Sequence, residues 1–152
     1  QIQNKIFTIR GVQVMIDSDL AELYNVETGI INRAAKRNIN RFPEKFRFQI
    51  LEEEKQEVIT NCDHLKKLKF SPALPYVFTE QGVAMLSAVL KSEVADKISI
   101  QIINAFANMR RFISSNASVF ARIDSVERKK WFAFSKFDKN SLTILNKLRF
   151  KK

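Results

Sequence analysis

Thr28, Asn32 and Lys36 recur every four residues, and Arg33 and Arg37 repeat the same step one position on. On a helix such spacing gathers side chains on one side. These are hydrogen-bond donors and cations, the groups that bind base edges and phosphate oxygens. Asn32 suits a bidentate pair with adenine and Arg33 one with guanine, while Lys36, Arg37, Arg41, Lys45 and Arg47 suit phosphates. Between Thr28 and Ile50 those six Lys and Arg residues stand against the single acid Glu44. A basic run is ordinarily a solvated face, but this one coincides with a candidate recognition helix.

Such a helix must be held by another. Residues 20–36 read LAELYNVETGIINRAAK, the pattern of two short helices joined by a tight turn. Ala21 is small where the helices must approach, Val26 plugs the turn, and Ile31 and Ala34 are expected on the inner face of the second helix. Asn25 sits where the turn needs a left-handed backbone, which Asn tolerates well. The first helix is expected to end near Tyr24, and the second to run from about Thr28 to Asn38.

Around this pair the pattern is mixed. Residues 6–16 alternate about Arg10-Gly11 as a hairpin. Asp17, Ser18 and Asp19 offer N-caps, and Asp19 with Glu22 has capping-box spacing. Pro43 ends the helical region, and Phe46, Phe48 and Ile50 alternate as a strand. Glu52, Glu53 and Glu54 open a further helix at its positive end. Residues 63–75, with three lysines and two prolines, read as loop, and residues 76–78 as a brief strand. Thr79 and Ser92 cap two more helices, the second with an apolar stripe of Ala95, Ile98, Ile102, Phe106, Met109 and Ile113. The fold class expected is α+β: a small helix-rich domain with a helix-turn-helix-like pair, a short hairpin and strands over residues 1–116, followed by amphipathic C-terminal helices over 117–152.

The chain has 152 residues and a formal charge of +10, which favours an anionic partner. Residues 1–116 carry a net of +3 and residues 117–152 a net of +7. In that tail Val119, Ile123 and Val126, then Leu142, Leu145 and Leu148, keep coiled-coil spacing. Trp131, Phe132, Phe134 and Phe137 cluster between them, and a homodimer through these C-terminal helices is the expectation. No apolar run approaches the roughly 20 residues needed to cross a bilayer, and no charged-then-apolar leader opens the chain, so no membrane association and a cytosolic location are expected. A lone cysteine, Cys62, forms no intrachain disulfide and reads as core packing. His64 lacks partners at metal-ligand spacing, so neither metal nor cofactor is expected.

The runs RGVQVMIDSDLAELYNVETGIINRAAKRNINRFPEKFRFQI, YVFTEQGVAMLSAVLKSEVA and INAFANMRRF resemble the KilA-N-related family of phage and bacteria, in the branch named for the N-terminal domain of a phage open reading frame six. The resemblance covers residues 9–50 and 76–112. It implies a small α+β fold that binds double-stranded DNA sequence-specifically without catalysis, as in phage antirepressors and prophage-derived regulators. Two departures stand out. Asn25 replaces the Gly usual in the helix-helix turn, and residues 61–75 lack a Gly-rich basic loop, for which Lys66, Lys67 and Lys69 offer charge.

Three functions compete. The first is a DNA-binding regulator reading through the second helix. The second is a protein-interaction module that acts by binding a repressor, with the aromatic tail as its working part. The third is a nuclease holding a divalent ion on Asp17, Asp19 and Glu22, although helix capping accounts for those acids.

Overall fold

The computed structural model describes residues 2–118. Strands β1 (Ile6–Ile9) and β2 (Val12–Ile16) form a hairpin in register Ile6 to Met15 and Ile9 to Val12. Arg10 and Gly11 make its turn with φ of 54° and 76°. A two-residue loop with both φ positive matches the right-handed twist of the strands it joins. Strand β4 (Tyr76–Phe78) pairs antiparallel with β2, and β3 (Arg47–Gln49) pairs antiparallel with β4, giving the order β1-β2-β4-β3.

Strand alternation splits the interior into two layers. Ile6, Met15 and Phe78 point to one side, where they meet Leu20, Ile31, Leu86, Ile102 and Phe106. That side carries α1 (Asp17–Tyr24), α2 (Thr28–Arg37), α4 (Glu80–Leu90) and α5 (Glu93–Ser115). Phe7, Val14, Ile16, Phe48 and Val77 point to the other side, against Val58, Cys62 and Leu65 of α3 (Glu52–Asn61) and the segment after it. The α+β class therefore holds, with α2 packed on α1 and α4 and its remaining face turned outward.

Local chemistry ends the elements. Asn25 adopts φ 57° and ψ 46°, and its N–H and that of Val26 donate back to Glu22 and Ala21. Thr79 Oγ1 accepts from the Gly82 N–H at 3.3 Å and Ser92 Oγ from the Ala95 N–H at 3.0 Å, capping α4 and α5 as expected. Tyr24 and Ser99 share a buried hydrogen bond of 2.6 Å that ties α1 to α5.

Three expectations change. Asp17, Ser18 and Asp19 do not cap α1: the N-cap position is Ile16, without a side-chain bond, and Asp17 is the first helical residue. Asp19, 2% exposed, instead meets Lys5 at 3.5 Å and His64 Nε2 at 3.2 Å, while Glu22 pairs with Lys5. Residues 63–75 are not all loop, because Asp63–Phe70 forms a 3-10 helix. Leu65 anchors it in the second core, and the buried Lys55 ammonium donates to the Ser71 carbonyl at 2.6 Å just beyond its end. On α2 the inner pair is Ile31 and Ala35, with Ala34 only half-buried. The tail expectations, including the aromatic cluster and the homodimer, fall on residues beyond 118 and so lie outside the described ones.

Candidate nucleic-acid interface

Helix α2 forms readily from Arg33, Ala34, Ala35, Lys36 and Arg37, all strong helix formers. It stops at Asn38, whose Nδ2 donates to the Ala34 carbonyl at 2.9 Å. A 3-10 turn, Ile39–Arg41, follows before Phe42 turns into the first core. Burial of Ile31 and Ala35 fixes the rotation of α2, and Arg33, Lys36 and Arg37 then lie exposed on its outer side. Arg41 and Lys45 are exposed on the segment that continues from it.

These five cations differ from many others in the domain. Lys5, Arg10, Lys66 and Arg110 each pair with a carboxylate. Arg10 binds Glu54 through Nε at 2.9 Å and Nη2 at 2.7 Å, so the hairpin tip is neutralised. Although burial pushes the Glu54 carboxyl up, the Arg10 hydrogen bonds, the Leu51 N–H and the Arg10 charge hold it below its ordinary value. Arg33, Lys36, Arg37, Arg41 and Lys45 have no carboxylate within ion-pair distance among the described residues. Their charge is therefore uncompensated by ion pairs within the described residues.

The other three candidates from the sequence sit differently. Thr28 is half-buried at the start of α2. Asn32 is also half-buried, and both ends of its amide are engaged: Nδ2 donates to Asp17 Oδ2 at 2.8 Å, and Oδ1 accepts from Arg47 Nη2 at 3.1 Å. The Arg47 guanidinium lies 3.6 Å from the Tyr76 ring centroid and 5.5 Å from that of Phe78. Asn32 and Arg47 thus face inward in this structure, away from the roles of adenine reader and phosphate clamp. They position α2 against α1 and the sheet.

Asp17 is the centre of that arrangement. Besides Asn32 it accepts from the Tyr76 N–H at 3.1 Å and the Ser18 N–H at 2.7 Å, joining α1, α2 and β4. Burial dominates its ionisation and raises the carboxyl above the ordinary aspartate value, against those hydrogen bonds and the Arg47 charge. Burial likewise lowers Arg47, opposed by Tyr76 and Asp17. Asp17 is committed to Asn32 while Asp19 and Glu22 share Lys5, and among the described residues no three His, Cys, Asp or Glu gather as metal ligands.

Asn32→Ala is expected to lower the unfolding free energy by about 1–2 kcal/mol, because Asp17 and Arg47 each lose a partly buried hydrogen bond. Lys36→Ala, on the exposed side, should stay within about 0.5 kcal/mol of the parent. Urea denaturation of the two variants checks this. Equal midpoints would show that the Asn32 bonds do not hold the helix.

Sequence reasoning misses two neighbours on the outer side. Ile30 is 39% exposed, although an isoleucine in an apolar-periodic helix reads as core. Gly29 leaves room for a guanidinium, since a Cβ there would come within 3.0 Å of Arg33 Nη1. The signal that could find them is rotational: with Ile31 and Ala35 taken as the buried pair, Ile30 falls outward.

The model of the ORF6N domain matches residues 4–89. This chain belongs to the ORF6N domain family. The ORF6N match takes in the hairpin, the helix pair, the four strands of the described residues and nearly all of α4, together with residues 51–75, which the motif resemblance does not reach. The INAFANMRRF string on α5 lies beyond it. No curated protein and no solved structure matches the chain. No helix among the described residues is long and apolar enough to cross a membrane.

Proposed function

We propose that this chain is a sequence-specific double-stranded DNA-binding regulator of phage or prophage type, acting in the cytoplasm as an antirepressor-like control protein and not as an enzyme. The observation that carries the reading is the row of exposed cations without acid partners among the described residues, Arg33, Lys36, Arg37, Arg41 and Lys45, on and just beyond α2. Among the described residues α2 is packed by α1 and α4 on its inner side, which leaves the outer side open to a major groove. Arg33, nearest the start of the helix, is suited to a guanine edge, and the cations after it to phosphates. Membership of the ORF6N family supports a phage-type role.

The test is selection of binding sites from random duplexes with the full chain at low salt. Enrichment of a defined motif is expected. Recovery of random sequence would remove the regulator reading and leave the protein-interaction reading, in which a repressor is the partner.

A further inference from the structure

The outer side of α2 carries one residue that neither phosphate binding nor the core explains. Ile30 is 39% exposed, while Ile31 and Ala35 are fully buried and meet the helix's packing requirement. Arg33 and Arg37 follow it at three and seven residues, so all three share one helical face, and Ala34 lies beside them half-exposed. The Arg33 guanidinium lies back over Gly29, next to Ile30. One exposed aliphatic side chain beside the Arg33 guanidinium is far smaller than the aromatic- and Met-rich core of a protein docking surface. In the major groove the apolar feature is the thymine C5-methyl, which aliphatic side chains contact, and arginine reads the guanine O6 and N7.

We infer that Ile30 is a specificity-determining residue that packs on a thymine methyl group beside the base pair read by Arg33. The inference rests on the DNA-binding reading above. A duplex lacking that methyl presents the same Watson–Crick pairing and the same phosphates, so the contact is separable from charge. Burial of one methyl-sized group corresponds to about a four-fold change in affinity.

The experiment replaces each thymine of the selected duplex in turn by deoxyuridine, which removes only the methyl, and measures binding by the full chain. One or two positions should weaken by about four-fold for the parent. Ile30→Ala should bind the thymine duplex more weakly and no longer distinguish thymine from uracil there, and Ile30→Val should keep part of the discrimination. Insensitivity of the parent at every position overturns the inference, as does undiminished discrimination in Ile30→Ala, while leaving the DNA reading intact. Failure to select any duplex overturns both.

Discussion

Gly82→Ala is expected to destabilise the domain by about 2–3 kcal/mol, the upper part of the range for overpacking in a closed interior. A Cβ on Gly82 would lie 2.3 Å from the Phe46 carbonyl oxygen and 3.4 Å from Phe78 Cβ. The obstacle is backbone, and that carbonyl is held in place. It accepts from the Thr79 N–H at 2.9 Å and from Thr79 Oγ1 at 3.2 Å, while the Phe46 N–H donates to Pro43 at 2.8 Å. Alanine is the better helix former by about 1 kcal/mol, but relieving the overlap requires β3 and the start of α4 to separate. Gly29→Ala is the matched control. There the Cβ meets only the far end of the Arg33 side chain, which can swing away, so propensity decides and the variant should be as stable as the parent or slightly more so. Equilibrium denaturation of both checks the contrast, and an unchanged midpoint for Gly82→Ala would mean that the close approach is absent in solution.

How much the sequence reveals depends on how local each interaction is. The Arg10-Gly11 turn, the left-handed Asn25 and the Thr79 and Ser92 caps each depend on residues within four positions, so side-chain chemistry at the site itself announces them. Asp17 reads as a helix cap or, with Asp19 and Glu22, as an ion ligand but not as a bridge, because Asn32 and Tyr76, which it binds, are 15 and 59 positions away. Gly82 has no local signature at all, since its constraint is the carbonyl of Phe46, in the turn before β3 and far off in the sequence. The 3-10 helix at Asp63–Phe70 is hidden by its lysines and by Pro72 and Pro75, which come after it, while its one buried anchor, Leu65, is too little to show periodicity. On α2 the composition identifies a basic helix, but its rotation depends on which alanine packs inward. Ala35 rather than Ala34 does so, and that choice moves Asn32 off the outer face and Ile30 onto it.

The same rotation makes the proposed DNA surface a property of the whole sheet-side layer. Met15 and Phe78 fill the floor on which Leu20, Ile31 and Leu86 rest, and Asp17 bridges that floor to α2 through Asn32. A change in β3 would reach α2 through Arg47, whose guanidinium is both stacked on Tyr76 and bonded to Asn32. Stability and recognition are therefore linked at Asn32 and Arg47 and separable at Arg33, Lys36 and Arg37, so charge changes at the latter three test binding without a folding contribution.

Arg37→Glu is expected to weaken binding to every duplex by a similar factor, roughly ten-fold or more at low salt, with the ranking of sequences unchanged. A cation on a phosphate positions the protein without reading bases. Arg37 is exposed, follows Ile30 and Arg33 on the outer face and has no carboxylate within ion-pair distance among the described residues, so reversing it breaks no ion pair of the fold. A phosphate that Arg37 no longer neutralises keeps its condensed counterion, and the plot of log affinity against log salt should flatten by about 0.9. Lys97→Glu supplies the control: it makes the same change in net charge on an exposed position of α5, and because screening confines such effects to about 10 Å at 0.1 M salt, its slope should stay close to that of the parent. Reversal of Arg128, Lys129 and Lys130, in the basic tail, tests the remaining charge. If the slope follows that triplet and ignores Arg37, the DNA surface belongs to the C-terminal region. If it follows Arg37 and ignores both Lys97 and the triplet, the outer face of α2 is where the phosphates lie.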